Sequence, residues 1–141
     1  MIDINTGELC VDGSECKIDP SLHKDTFLES KFGQGAQELV SNEGWSTFKI
    51  NPCSIKENIF LVGLTFYENK VSELSLIHIA PNEIHTWANY TVEKEKDRKV
   101  IHDEYLKKNF GKSPYQFPWG QIISVFDEKG GFSEIVIRYK Q

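Results

Sequence analysis

The densest run of proton-transfer residues in this chain is His102-Asp103-Glu104. Acid–base chemistry would need at least two of these side chains on one substrate atom. On a helix, adjacent side chains diverge by about 100°, so the three cannot converge without a partner from elsewhere. The reading that follows is a solvated helix face. The four histidines, His23, His78, His85 and His102, show no H-x-H, H-x-x-x-H or H-E-x-x-H spacing. They are expected to be structural unless the fold brings them together. The three cysteines, Cys10, Cys16 and Cys53, lack C-x-x-C spacing. Cys10 and Cys16 would face each other across an Asp12-Gly13-Ser14 hairpin loop, and in a reducing compartment both are expected as thiols. G-x-G-x-x-G, the Walker loop and G-x-S-x-G are all absent, and no serine has a base close by in sequence. The expectation is no catalytic residue, no metal and no cofactor.

Tyr115, Phe117 and Trp119, with Lys108 and Lys112 nearby, could stack nucleotide bases. However, Pro114 and Pro118 make this segment a stiff corner whose rings would cap a sheet. The net charge of −5 also opposes a polyanion. The charge is uneven: residues 1–90 hold thirteen acids against six bases, and residues 91–141 hold eight against ten. An acidic body steers a basic partner towards itself. The acids crowd the first thirty residues, and Asp12, Glu15, Asp19, Asp25 and Glu29 are the candidate partner-binding set.

The element that must position the C-terminal residues is a helix over Val92 to Phe110. Thr91 can cap it, Glu93 and Glu95 place negative charge early, and Lys107 and Lys108 place positive charge late. Gly111 stands at the stop. Acid-before-base pairs four apart, Glu95 with Lys99, Asp103 with Lys107 and Glu104 with Lys108, support it. Ile101, Tyr105, Leu106 and Phe110 predict a narrow apolar stripe. The turns through Lys99 have almost no apolar face, and are expected to project over solvent or to cover only a sheet edge.

The rest alternates like strands. Residues 2–18 read as short strands with turns at Asn5-Thr6-Gly7 and Asp12-Gly13. Residues 23–30 suggest a short helix burying Phe27 and Leu28. Residues 36–41 and 45–50 pair around Asn42-Glu43-Gly44, with Asn51-Pro52 ending the second strand. Residues 59–67 are apolar on both faces and should be central in the sheet. Residues 71–79 return, and residues 82–90 form a loop carrying His85, Trp87 and Tyr90. A closing hairpin spans 121–140, with Ile135, Ile137 and Tyr139 on one face and Glu134, Val136, Arg138 and Lys140 on the other.

The sum is a single α+β domain over 1–141, a curved and mainly antiparallel sheet of about eight strands with one long helix packed against it. At 39% apolar and 26% charged residues the composition is that of a globular domain. No apolar run approaches the ~20 residues that span a bilayer. Met1-Ile2-Asp3-Ile4 has no secretion-signal character, so the cytoplasm is the expected compartment.

Trp87, Glu95, Arg98-Lys99, His102-Asp103, Leu106 and Gly111, followed by Pro118-Trp119-Gly120, Ser124, Asp127, Gly130-Gly131, Ser133, Ile135, Ile137 and Tyr139, form a pattern that resembles a family of small bacterial proteins. In size, acidity, lack of a catalytic motif and α+β pattern the chain also resembles the cytosolic immunity proteins of contact-dependent growth inhibition toxin systems. That resemblance implies a tight complex with a basic toxin domain, often a nuclease; the acidic charge separately predicts no direct contact with nucleic acid or membrane. It implies no particular binding residues, because such proteins share no recognition motif. The alternative from the residues themselves is a small enzyme or ligand binder using a concave sheet face, which convergence of His78, His85, His102 and Asp103 in a pocket would favour.

Overall fold

The computed structural model describes residues 2–13 and 17–140. In chain order the elements are β1 (Leu9–Cys10), β2 (Lys17–Ile18), α1 (Lys24–Glu29), α2 (Lys31–Gln34), β3 (Gln37–Asn42), β4 (Trp45–Ile55), β5 (Asn58–Tyr67) and β6 (Lys70–Ile79). A short 3₁₀ turn at Trp87–Asn89 precedes α3 (Val92–Phe110), β7 (Tyr115–Phe117), β8 (Gly120–Asp127) and β9 (Phe132–Tyr139). Seven strands form one antiparallel sheet in the order β3-β4-β5-β6-β9-β8-β7, and β1 and β2 pair separately. The architecture is α+β, as the patterning predicts. No helix of the described residues is long and apolar enough to cross a membrane.

β5 is an interior strand, as its apolar run predicts, paired with β4 and β6 along its length, and the β8–β9 hairpin adds to the free edge of β6. β5 buries Phe60, Val62, Leu64 and Phe66 fully on one face, and its other face is only half covered. Asn51-Pro52 does not end β4. The register slips between Ile50 and Cys53, and the strand continues to Ile55. A bulge is where a strand tolerates a residue that lacks an N–H. On β9, Ile135, Ile137 and Tyr139 share the core face as expected. Val136 lies on the opposite face yet is also buried, beside the Ser75–Glu134 hydrogen bond (2.5 Å) and the Glu73–Arg138 ion pair (3.1 Å). Cys16, expected as a thiol facing Cys10 across the hairpin loop, lies outside the described residues.

One contiguous core joins the sheet to α3, α1 and the N-terminal segment. Phe27 of α1 meets Phe48 and Phe66 at ring separations of 5.6 and 5.5 Å. The aromatic corner closes the fold, as its prolines suggest. Trp119 stacks on Phe117 at 5.0 Å and donates from Nε1 to Ile4 O at 2.8 Å. The Tyr139 hydroxyl donates to Gly7 O at 2.8 Å. Gly7 has φ +77°, and a Cβ there would lie 2.6 Å from Cδ2 of Trp119. Gly7→Ala adds backbone strain and overpacking, so it is expected to cost about 2–3 kcal/mol, read from the urea midpoint.

The ends of α3 agree with the local signals. Thr91 Oγ1 accepts from Lys94 N at 3.1 Å, and Gly111 has φ +82°. The buried face agrees in part: Leu106 is buried, and Tyr105 and Phe110 pack against the core. Ile101 is 40% exposed, and the stripe against the sheet is Glu95, Arg98, His102 and Leu106. The N-terminal half of α3, expected to project over solvent or to cover only a sheet edge, packs inward through Glu95 and Arg98, and three of the four buried residues of the whole helix are polar.

Candidate functional site

The spacing of Glu95, Arg98, His102 and Leu106 places all four on one helical face. The sheet explains why three polar residues are accepted there. β6 and β9 pair from Glu73–Arg138 to Leu76–Ile135 and then part. Continuing that register would pair His78 with Ser133. Their backbone groups instead take partners from α3. His78 N donates to His102 Nε2 at 3.0 Å, and Arg98 Nη1 donates to His78 O. Ser133 N donates to Glu95 Oε1 at 3.0 Å, and Ser133 Oγ donates to Glu95 O at 2.5 Å. The helix side chains stand in for a missing stretch of ladder, which buried backbone groups require.

Arg98 also reaches the loop between β6 and α3. Its Nε donates to Glu95 Oε2 at 3.1 Å, and Nη1 and Nη2 grip both oxygens of Glu83, the former at 3.2 Å. Glu83 Oε1 accepts in turn from Ala80 N at 2.9 Å. A planar two-oxygen grip of this kind is specific to arginine. Burial pushes the Glu83 carboxyl upward, but the Arg98 hydrogen bonds, the Ala80 N–H and the Arg98 charge outweigh it, and the net direction is down. Burial alone would lower Arg98; the Glu83 hydrogen bonds and the two carboxylate charges carry it above its ordinary value.

Burial and then the Arg98 charge push His102 down to about 3, and the same two causes lower His78. Both imidazoles are therefore neutral at neutral pH, and His102 accepts at Nε2. A neutral folded His102 resists a proton that the unfolded chain takes up near 6.5. Its contribution is complete above that pH and is lost as pH falls from 6.5 towards 3, at up to about 1.4 kcal/mol per pH unit. Urea unfolding of the native protein and of H102Q between pH 4 and 7 checks this; the variant should show the shallower slope.

The same loop carries two large apolar residues outward. Ile84 is 68% and Trp87 83% exposed, yet the backbone beneath them is tied down. Tyr90 donates its hydroxyl to Gly131 O at 2.6 Å, and Lys94 Nζ donates to Asn89 O at 3.1 Å. Gly131, at φ +73°, lies so close that an added Cβ would collide with the Tyr90 hydroxyl oxygen. Between loop and sheet lies a cleft of about 380 Å³, walled by Trp87, Tyr90, Phe132 and Ile77, with Arg98 and Glu95 at its base.

The sequence-based candidates fall as follows. His102 is fully buried and meets the backbone of His78, so a solvated face is wrong for it. It is right for Asp103, which pairs with Lys99 at 2.9 Å and not with Lys107. Likewise Glu95 pairs with Arg98 rather than Lys99. His85 lines the loop cleft and His23 is exposed. Among the described residues, no three His, Cys, Asp or Glu side chains cluster as metal ligands would.

Of the acidic set, Asp12 accepts from Ser54 Oγ, Lys56 N and Glu57 N at 2.9, 3.1 and 2.8 Å. The Glu57 N–H first, then the Ser54 hydroxyl, hold its carboxyl below the ordinary range. Asp12 thus closes the β4–β5 turn. Asp19 accepts from the N–H and hydroxyl of Ser21, Asp25 and Glu29 are exposed on α1, and Glu15 lies outside the described residues.

Sequence reasoning missed the Glu83–Arg98–Glu95 assembly because it searched helix faces for apolar residues. One signal was available. The chain has sixteen basic residues and only two are arginine, Arg98 and Arg138; both grip carboxylates. Compared with known proteins, the chain matches no family model, no curated protein and no solved structure.

Proposed function

We propose that this is a non-catalytic protein-binding module, and that its partner is a basic toxin domain which it neutralises as immunity proteins do. One observation carries the binding reading: Ile84 and Trp87 stand in water on a loop held from beneath by the Arg98–Glu83 grip and the Tyr90–Gly131 hydrogen bond. Apart from the Trp87 ring contact with Tyr90 at 5.7 Å, these two exposed apolar side chains add little to the fold. They suit an anchor that loses little conformational freedom on binding. The titratable groups nearby support a non-catalytic role, since Arg98, Glu83 and Glu95 pair with one another and His102 is sealed from solvent. The net charge of −5, with Asp25 and Glu29 exposed on α1, supports a basic partner.

The test is calorimetric titration of the purified chain with the product of the adjacent gene, together with growth rescue on co-expression. Binding at or below about 10⁻⁸ M with rescue is expected, and the association rate should fall with added salt. No heat and no rescue would end the toxin reading. A second reading, a small-ligand binder, is favoured by the aromatic-walled cleft of about 380 Å³. Its size suits a small ligand, and quenching of Trp87 fluorescence across a panel of small aromatic acids tests it.

A further inference from the structure

At the other end of α3 lies a larger groove, of about 740 Å³, whose walls are a helix and an open strand edge. β7 is short and pairs with β8 only at Gly120, Gln121 and Ile122. From Ile123 to Asp127 the outer edge of β8 has no strand beside it among the described residues. Alternate residues of such an edge present both N–H and C=O outward.

Facing this edge, α3 contributes Lys99, Asp103, Leu106 and Lys107, and the segment after the helix contributes Lys112 and Tyr115. Asp103 is paired with Lys99, which leaves the charges of Lys107 and Lys112 uncompensated by any acid lining the groove. Leu106 and Ile122 give it an apolar floor. The hydroxyl of Ser124, another lining residue, is buried without a hydrogen-bond partner.

We propose that this groove takes an extended acidic peptide segment, which adds to β8 as a strand beyond the end of β7 while its carboxylates meet Lys107 and Lys112. An open edge beside a helix is a known geometry for strand addition, in which main-chain hydrogen bonds supply affinity and side-chain contacts supply specificity. Five open residues at about 3.3 Å each give roughly 16 Å of edge, of which Ile123 and Ser124 line the groove and the remainder continues past it. A nucleic-acid strand would satisfy the lysines but has no regular N–H and C=O ladder to offer β8. The open edge starts at the groove and runs to Asp127, which pairs with Phe132 of the loop cleft; Trp87 does not line the groove, so Trp87→Ala should leave peptide binding unchanged and separates the two sites.

The probe is a fluorescein-labelled, end-blocked hexapeptide of alternating Glu and Val, titrated with the full chain by polarisation. Saturable binding is expected, with slowed amide exchange at Ile123, Ser124 and Val125. The variant Lys107→Glu with Lys112→Glu should bind about tenfold more weakly, with its melting temperature checked separately. Three outcomes would overturn the proposal: no saturation, equal binding of a Lys–Val hexapeptide, or competition by oligothymidylate without any change in exchange along β8. Should the double variant fail to fold, the exchange pattern and the Lys–Val control still decide it.

Discussion

Replacing Arg98 with alanine is expected to lower the unfolding free energy by about 3–5 kcal/mol, the usual cost of removing one member of a buried ion pair. The change leaves Glu95 buried without its counter-charge, strips both oxygens of Glu83 and frees His78 O. Urea denaturation followed by circular dichroism measures it. R98K tests the geometry, since an ammonium keeps the charge but cannot grip two oxygens in a plane; it should recover only part of the loss. Arg98→Met combined with Glu83→Gln and Glu95→Gln should be less damaging than Arg98→Met alone. The triple variant no longer strands charge, and the amide oxygen introduced by Glu95→Gln can still accept from Ser133 N. If R98A unfolds within about 0.5 kcal/mol of the native chain, as an ordinary surface substitution would, then α3 is not held by this grip. Limited proteolysis adds a local readout: R98A should be cut first in residues 80–90, where the loop has lost its tether.

The second large effect concerns binding. Trp87→Ala is expected to weaken the complex with the basic partner by at least about 2 kcal/mol, roughly thirtyfold in Kd, as a central aromatic anchor does. With Trp87 83% exposed in the free chain, stability should change by no more than about 0.5 kcal/mol. Calorimetric titration and a urea curve on the same preparation separate the two. Charge reversal at Asp25 and Glu29 should act differently, slowing association and flattening its salt dependence while leaving dissociation nearly unchanged. A W87A protein that binds as tightly as the native chain would move the interface away from this loop.

The two predictions meet in one chain of contacts. Arg98 organises the loop, the loop presents Trp87, and Arg98 lies in a split in the sheet that α3 fills. A substitution at Arg98 should therefore weaken binding as well as stability, and W87A should weaken binding alone. That difference distinguishes a positioning residue from an anchor.

Much of the fold was legible in advance because its signals are local. The limits of α3 follow from Thr91, Gly111 and the charge order along the helix, interactions that reach no further than one turn. The hairpins follow from period-two alternation broken by Gly, Asn and Asp. The stiff corner follows from Pro114 and Pro118. The burial of Leu106 was legible; that of Glu95, Arg98 and His102 was not, and neither was the loop site that depends on them. A helix face is ordinarily read from its apolar residues, and by that measure Ile101 outranks Arg98.

What overrules that measure is the register of β6 against β9. The two strands lie about sixty residues apart in sequence and part company after Leu76 and Ile135. Past that point His78 and Ser133 hold backbone groups that need partners, and Glu95, Arg98 and His102 supply them. Residue types and their spacing determined most of the elements, the ends of α3 and the acidic character of this protein. Only the tertiary structure decided that a charged helical stripe belongs inside, because the demand for those hydrogen bonds comes into being when the distant strands diverge.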